Sequence, residues 1–364
     1  MSSIVTFLGK GGTGCTTLAI AAAKNLAQQG RKVLLLTQDT SPAYNIILGL
    51  EITTEPQEIA ANLSVAQLSS TKLLEQNWEQ VKQLEQQYLR SPILKNVYGQ
   101  ELGILPGMDR ALALNKIREY DQNKLYDVIV YDGSSNLDTI RMFGLPEIIS
   151  WYARRFKGVF QESDIVKTIS PFIQPVTSAI LNVSWSSNIA SSEADQATQM
   201  LEKGRQALAE RKVIAYLVTT DEEIAIAQAK YLWGSAQQVG LSVGGVLLNQ
   251  AEANETLSKE FDPLTITSLP TMQSGEWQTL SDALPSLLDN TTIPQPTTFD
   301  IADKKIKVFL PGFDKKQVKL TQYGPEITIE AGDQRRNITL PPAWTGRSVK
   351  GAKFTNNYLE LTIG

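Results

Sequence analysis

The run Gly9-Lys10-Gly11-Gly12-Thr13-Gly14-Cys15-Thr16-Thr17 limits the folds open to this chain more than any other stretch. A short apolar run, Ile4-Val5-Thr6-Phe7-Leu8, precedes it, and a helix-like pattern from Leu18 to Ala27 follows. Strand, glycine loop and helix in that order is the setting a phosphate-cradling loop requires. Glycines let the backbone turn successive N–H groups toward an anion. The helix start adds unpaired donors and the favourable end of a dipole. Gly11, Gly12, Thr13, Gly14, Cys15, Thr16 and Thr17 are therefore the expected nucleotide contacts, with Thr16 placed for its hydroxyl to reach Mg²⁺. The usual pattern GxxxxGK[ST] asks for lysine where Cys15 stands, and the lysine appears instead at Lys10. A ligand-free strand-to-helix turn is the bland alternative. The lysine, the hydroxyls and the flanking elements together weigh against it.

Further apolar runs repeat the strand theme. Lys32 to Thr37 reads as a buried parallel strand leading to Asp39, and Tyr126 to Tyr131 as another ending in Asp132. A carboxylate at the C-terminal end of such a strand lies on the ligand edge of a doubly wound sheet. Asp39 there either orients a water or joins the outer shell of Mg²⁺, or simply caps the turn at Thr40-Ser41-Pro42. Asp132 fits the second Mg²⁺-side carboxylate, and the polar loop from Gly133 to Asp138 suits a γ-phosphate sensor. Glu101 to Leu105 reads as a short strand before a helix over 110–120. Val213 to Thr219 and Ser242 to Leu248 read as two more buried strands around a helix over 222–239, so right-handed parallel crossovers are expected. Asn249 offers an amide to a base edge or is a turn residue. Leu269-Pro270 closes a further strand that would wall the same pocket.

Two stretches read as helical. Ser69 to Leu89 is amphipathic, with Leu73, Leu74, Trp78, Val81, Leu84 and Tyr88 at three- and four-residue spacing. Residues 143–209 follow a helical pattern broken by Pro146, Pro171 and Pro175. Within it Phe172, Ile173, Val176, Ile180 and Leu181 form either a buried core helix or a groove for an apolar partner. After Thr291–Thr298, a proline-threonine linker, the period changes to two. Pairs such as Ile306/Val308, Ile327/Ile329 and Leu359/Leu361, divided by turn residues including Gly351, indicate a small β-sandwich.

Composition narrows the function classes. The formal net charge of -4 does not favour general nucleic-acid binding. The charge is uneven: 11 basic and 7 acidic residues in 297–364 leave 23 and 31 in the remainder. One cysteine cannot form an internal disulfide and fits a reducing compartment, so a cytoplasmic protein is expected. No histidine is available as base or metal ligand. No apolar run has membrane-spanning length, and the chain opens on a core strand with no signal peptide expected ahead of it.

The leading lysine followed by Gly-Gly-x-Gly resembles the deviant phosphate-loop ATPases. Together with Leu36–Asn45, Leu105–Asp109, Val128–Pro146 and Leu248-Asn249-Gln250, it makes roughly the first 290 residues similar to one family. These are the arsenical pump-driving ATPases and their relatives, the tail-anchored-protein targeting ATPases of the GET/TRC pathway. The tail, through Leu310-Pro311-Gly312-Phe313 and Gly351–Leu361, resembles the α-crystallin domain of small heat-shock proteins. The resemblance implies an α/β fold with a doubly wound, mostly parallel sheet and helical insertions (about 55–98 and 143–209) in a domain over 1–290. It also implies a linker over 291–298 and an all-β sandwich over 299–364.

The same resemblance implies a homodimer with ATP and Mg²⁺ at the interface. Lys10 would reach the partner's phosphates and Asp39 would orient the attacking water. Thr16 and Asp132 would serve Mg²⁺, and Asn249 and Pro270 would hold adenine. The segment around Phe172, Ile173, Val176, Ile180 and Leu181 would face transmembrane segments of client proteins, with only transient membrane contact. Three departures matter. Cys15 removes a positive charge at the phosphates, which should slow phosphoryl transfer. Thr40-Ser41 is inserted before Pro42, and Asp138 replaces the family's histidine. A single cysteine cannot supply a zinc-binding pair, so no zinc is expected. The expected activity is a slow Mg-ATPase that shields hydrophobic segments. A nucleotide-binding scaffold or ATP-independent holdase is the alternative, and a plasmid-partitioning ATPase fits the helical insertions and tail poorly.

Overall fold

The apolar runs near the N-terminus become the middle of one sheet. The computed structural model describes residues 2–88, 96–162, 192–272, 275–289 and 293–364. Its sheet strands are β1 (Ser3–Gly9), β2 (Val33–Thr37), β3 (Gln57–Ala60), β4 (Leu63–Gln67), β5 (Val128–Asp132), β6 (Val213–Thr219), β7 (Ser242–Asn249) and β8 (Ile266–Leu269). Among the described residues they lie in the order β3-β4-β2-β5-β1-β6-β7-β8, with β3 alone antiparallel to its neighbour. β1 pairs in parallel with β5 on one side and β6 on the other, so the chain reverses its winding direction around β1. That reversal opens a crevice at the strand ends, where the glycine loop emerges.

Helices cover both faces: α1 (Cys15–Gln28), α2 (Pro42–Leu48), α3 (Ser70–Tyr88), α4 (Met108–Asn123), α5 (Leu137–Glu162), α6 (Ser192–Ala209), α7 (Glu223–Gln238), α8 (Glu255–Glu260) and α9 (Trp277–Asp282). Alternation along β1 sorts the two cores. Val5 and Phe7 pack with the alanine-rich face of α1, while Ile4 and Leu8 pack toward Leu112 of α4, Phe143 of α5 and Trp233 of α7. Among the described residues no helix is long and apolar enough to cross a membrane.

Five sequence expectations are corrected. Residues 57–67, placed in a helical subdomain, form the β3–β4 hairpin, because β2 leaves a free edge and β4 fills it in parallel register, Val33 beside Leu63. Residues 102–105 form no strand. That edge is taken, so Leu102 and Ile104 pack on the core from a loop while Leu105 stays exposed. The Thr291–Thr298 segment is not a free linker over its described part: Ile293 is buried in the α1-side core and β9 (Thr297–Asp300) starts within it. Gly351 is not a turn residue but lies in a strand, at an irregularity after Val349. Phe172, Ile173, Val176, Ile180 and Leu181 lie outside the described residues. Pro146 does not break its helix; α5 runs through it.

The tail is a sandwich of two antiparallel sheets. One holds β14 (Val349–Thr355), β15 (Tyr358–Ile363), β10 (Lys305–Phe309) and β9; the other holds β11 (Val318–Tyr323), β12 (Glu326–Ala331) and β13 (Gln334–Thr339). Ile306, Val308, Ile327, Ile329, Leu359 and Leu361 fill its core at the expected period of two. The sandwich is seated on α7 and α5. Phe309 packs edge-on against Trp233, ring centres 5.5 Å apart, and belongs to the ATPase-side core. The Asp333 N–H donates to the Tyr231 hydroxyl at 3.2 Å, Arg336 Nη1 donates to the Gln237 carbonyl oxygen at 2.7 Å, and Arg141 pairs with Asp333. Gly234 permits this approach, since a Cβ there would press on the Pro311 carbonyl oxygen and the Phe313 ring.

Gly234→Ala therefore sets two effects against each other. Helix propensity favours alanine by about 1 kcal/mol, and overpacking of this kind costs about 1–3 kcal/mol. Because the obstruction includes backbone, we expect net destabilisation in urea titrations and earlier proteolytic release of the sandwich. Unchanged or raised stability would mean that the α7 contact does not hold the sandwich in place.

Candidate nucleotide site

The loop is shaped by its glycines and closed by its own hydroxyl. Gly12 (φ +89°) and Gly14 (φ +98°) occupy the left-handed region that favours glycine. Thr13 Oγ1 donates to the Lys10 carbonyl oxygen at 2.8 Å, and the Thr13 N–H reaches the same oxygen at 3.2 Å. Gly9 has no room for a side chain, because a Cβ would meet the Val218 carbonyl oxygen of β6 and lie 2.8 Å from Thr13 Oγ1. Above the loop the space is open: a Cβ on Gly11 or Gly12 would meet nothing within 4 Å. Gly14 caps α1 without any side-chain hydrogen bond, and no acidic residue stands in the first turn. The first N–H groups of α1 are thus left for a ligand with negative charge.

Cys15 does not take over the role of a lysine. Its side chain is buried in the α1-side core, with Sγ 3.8 Å from Thr13 Oγ1. Burial pushes the thiol up to about 11, so it is neutral at pH 7. Lys10 Nζ lies 3.8 Å from a Glu222 carboxylate oxygen, with both side chains exposed. An exposed pair of this kind is worth about 1 kcal/mol or less, so Lys10 can be redirected at little cost.

The carboxylates come from neighbouring strands. Thr37 of β2 stands in register beside Asp132 of β5, which places both on the ligand edge. Asp132 is buried, and its Oδ1 has no hydrogen-bond partner among the described residues. Burial pushes its acid up to about 7; the nearby Thr16 hydroxyl lowers it and the Asp39 charge raises it. An unpartnered buried carboxylate oxygen beside a threonine hydroxyl has the oxygen chemistry of a Mg²⁺-nucleotide site, which needs only one or two carboxylates. Among the described residues no larger cluster of His, Cys, Asp and Glu forms. Asp39 is exposed at the rim, where Oδ1 accepts the Ser41 N–H at 2.8 Å and Ser41 caps α2. The capping contribution is therefore present, and the Asp39 charge helps to raise the Asp132 acid.

Asn249 and Pro270 close the other side. Asn249 Nδ2 donates to the Thr13 carbonyl oxygen at 2.9 Å, so this amide clamps the glycine loop. Asn249 is in register with Leu269, and Pro270 follows directly. Thr17 is half-buried one residue into the helix beyond Thr16.

Some residues carry roles that the sequence did not advertise. Tyr44 is fully buried close to Asp132, and burial and the Asp132 charge push its hydroxyl well above the ordinary tyrosine range. Its only sequence mark is its place in the Pro-Ala-Tyr-Asn run. The Ser135 carbonyl oxygen accepts the Gly9 N–H at 2.9 Å, tying the 133–138 loop to the phosphate loop. Asp138 pairs with Arg110 at 2.9 Å and lies 3.8 Å from Arg141, the residue that also holds Asp333 of the sandwich.

Comparison with known proteins agrees with this arrangement. The family profile described as "Anion-transporting ATPase" (ArsA_ATPase) matches residues 2–265, and "HSP20-like domain found in ArsA" matches residues 302–363. A protein of Chlorobaculum tepidum named "Putative arsenical pump-driving ATPase" is 25% identical over 389 aligned residues, covering 98% of this chain and 95% of the relative. A protein of the same name from Prosthecochloris vibrioformis is 26% identical over the same coverage. The "ATPase ASNA1 homolog" of Babesia bovis is 28% identical over 143 residues, covering 39% of this chain and 38% of its own length. With a glycine loop at the winding reversal, strand-end carboxylates beside it and both profiles matched in sequence order, the chain belongs to the ArsA family of anion-transporting ATPases and carries that family's HSP20-like domain.

Proposed function

We propose that two copies of this chain assemble around Mg-ATP, hydrolyse it slowly, and use the cycle to shield apolar segments of membrane proteins, tail-anchored ones in particular. One observation carries the nucleotide part. The loop presents uncapped N–H donors to an anion but contains no positive charge directed at it. Phosphoryl transfer depends on neutralising charge on the transferred group, so the missing charge must come from outside the loop. Lys10, exposed and held by a surface pair, would supply it to a second copy.

Thr16 and Asp132 would hold Mg²⁺, which when bound supplies further charge neutralisation at the phosphates. The N–H groups of Gly11 to Thr16 would grip the phosphates, and Asn249 keeps the loop closed around them. Asp39, exposed at the rim, would orient the attacking water. Loss of one charged or donor group at such a centre typically costs about 10²–10³ in rate, which is why slow turnover is expected with Cys15.

For the client part, the described portion of the helical region offers an apolar cleft of about 550 Å³ between α4, α5 and α6, with Leu114, Ile117, Phe143, Ile149 and Met200 on its walls. Exposed Tyr152 lies further along α5. Such surface suits an apolar partner. The reading that competes is a nucleotide-binding scaffold or ATP-independent holdase, favoured by the neutral, buried Cys15.

Phosphate release from the purified chain with Mg-ATP, beside Lys10→Ala, separates the two. We expect slow turnover that falls at least about 10²-fold in Lys10→Ala. Turnover no greater than that of Lys10→Ala would favour the scaffold reading. Apolar-tail peptides should be kept from aggregating to different extents with ATP, ADP and no nucleotide, as read by light scattering; equal protection in all three states would remove the coupling.

Asp132 gives a pH-dependent check. Its folded value lies above the ordinary aspartate value, so its contribution is complete in acid and is lost as pH rises from about 4 through about 7. The nucleotide-free Asp132→Asn variant should thus gain on the parent at pH 8, on the order of 1–4 kcal/mol, with the gain vanishing toward pH 4. Paired thermal melts at both pH values would measure it, and a loss of stability at pH 8 would contradict the buried-charge account.

A further inference from the structure

The cleft between α4, α5 and α6 lies at the end of the sheet where β1 and β6 begin, with Ile4 and Val213 among the residues around it. The glycine loop leaves β1 at the opposite end, so the two sites do not overlap. The walls keep accessible apolar surface. Leu114 on α4, Leu145 and Ile149 on α5, and Met200 and Leu201 on α6 are only half-buried, and all five line one cavity of about 550 Å³. α5 and α6 meet beside it at Gly204, where a Cβ would lie 2.7 Å from the Pro146 ring. Single apolar side chains at a surface need no explanation, but a set gathered around one hollow marks a binding surface.

Volume narrows the occupant. A membrane-spanning helix of 20 residues is about 30 Å long and 10 Å across, or roughly 2,000 Å³. Such a helix would rest across the cleft without entering it. Small-molecule clefts hold about 300–1,000 Å³, a size that suits one acyl chain.

Charge narrows it further. Arg118 on α4, also in the lining, donates from Nε and Nη2 to Asn115 Oδ1 at 3.1 and 2.6 Å. Its Nη1 bonds none of the described residues and keeps accessible surface. Glu119, the carboxylate acting on Arg118, bonds Lys116 and Asn115 instead. Burial pulls the guanidinium below the ordinary arginine value, yet an arginine stays charged at pH 7. Lys124 and Lys203 of the same lining are exposed and have no ion-pair partner among the described residues. The acids of the lining are engaged: Glu210 pairs with Lys212 at 2.6 Å, and Asp121 accepts the Ser2 N–H. An apolar hollow with an available guanidinium complements an amphiphile that ends in a carboxylate.

We propose that this cleft binds one long-chain fatty acid, its acyl chain against Leu114, Leu145, Ile149, Met200 and Leu201 and its carboxylate on Arg118. Lys124 and Lys203 add longer-range attraction for the anion. The bound fatty acid would cover the surface offered to apolar client segments and compete with them; that competition, unlike the binding itself, rests on the proposed client role.

Displacement of the fluorescent fatty acid 11-(dansylamino)undecanoate from the full chain by palmitate, without nucleotide, tests this. We expect palmitate to bind with Kd below about 10 µM and the uncharged hexadecanol at least tenfold more weakly. Arg118→Gln should weaken palmitate at least tenfold and hexadecanol less than twofold, a split that general loosening of α4 would not give. Ile149→Glu, at a half-buried wall position, should weaken both at least tenfold by placing a charge among the apolar side chains. Lys259→Gln, on α8 and paired with exposed Glu255, should change neither. Palmitate weaker than about 10 µM, equal affinity for palmitate and hexadecanol, equal loss of both in Arg118→Gln, or unchanged binding in Ile149→Glu would overturn the proposal. Neither ATP nor a client peptide is present, so these results do not bear on the ATPase reading, and failed client protection would leave the fatty-acid site standing.

Discussion

The unpaired backbone N–H groups at the start of α1 attract an anion, yet nothing in the loop beside them brings positive charge to it. Several features of the site follow from that imbalance. Cys15 is packed into the core as a neutral thiol, so the local electrostatics rest on peptide dipoles alone. Asp132, the last residue of the neighbouring strand β5, is driven toward its neutral form by burial. A nucleotide binding here must bring or recruit cations before its phosphates and this carboxylate can share the space. Lys10 is the nearest candidate, and it is held outside by a contact weak enough to exchange.

The loop is kept in shape by partners from distant parts of the chain. Asn249, at the end of β7, clamps the Thr13 carbonyl, and the Ser135 carbonyl receives the Gly9 N–H. Gly14 leaves space for the Asn249 amide, since a Cβ there would come within 2.6 Å of Nδ2. The 133–138 loop continues into α5, where Arg141 lies between Asp138 and Asp333 of the sandwich. One guanidinium thus serves a residue of the 133–138 loop and a residue of the C-terminal domain, and the two carboxylates share its charge. The sandwich is not a tethered appendage. Phe309 enters the ATPase-side core, and Gly234 lets α7 lie against the Pro311–Phe313 turn.

Much of this was legible beforehand where a short segment carries its own physics. Strand runs such as Val213–Thr219 need only continuous apolarity, and the sandwich strands need only alternation. The glycine loop needs positive φ, which its composition supplies. Segments whose state depends on a neighbour were harder. Residues 57–67 become strands because β2 has an open edge, and residues 102–105 do not because that edge is then full. The proline-threonine stretch reads as a spacer by composition, yet Ile293 finds a hydrophobic pocket and Thr297 a strand partner in β10.

At the site the division is similar. The sequence by itself determined which groups are available: a glycine loop opening a helix, one lysine in front of it, no lysine within it, and acids after two apolar strands. These are properties of residue type and spacing, and the chain cannot change them by folding. Tertiary structure decided what each group meets. It buried Asp132 with its Oδ1 unpartnered, set Tyr44 near it, turned the Asn249 amide onto the loop and brought Lys10 to 3.8 Å from Glu222. Burial and charge pairing are sums over neighbours in space, so no reading along the chain could have fixed them.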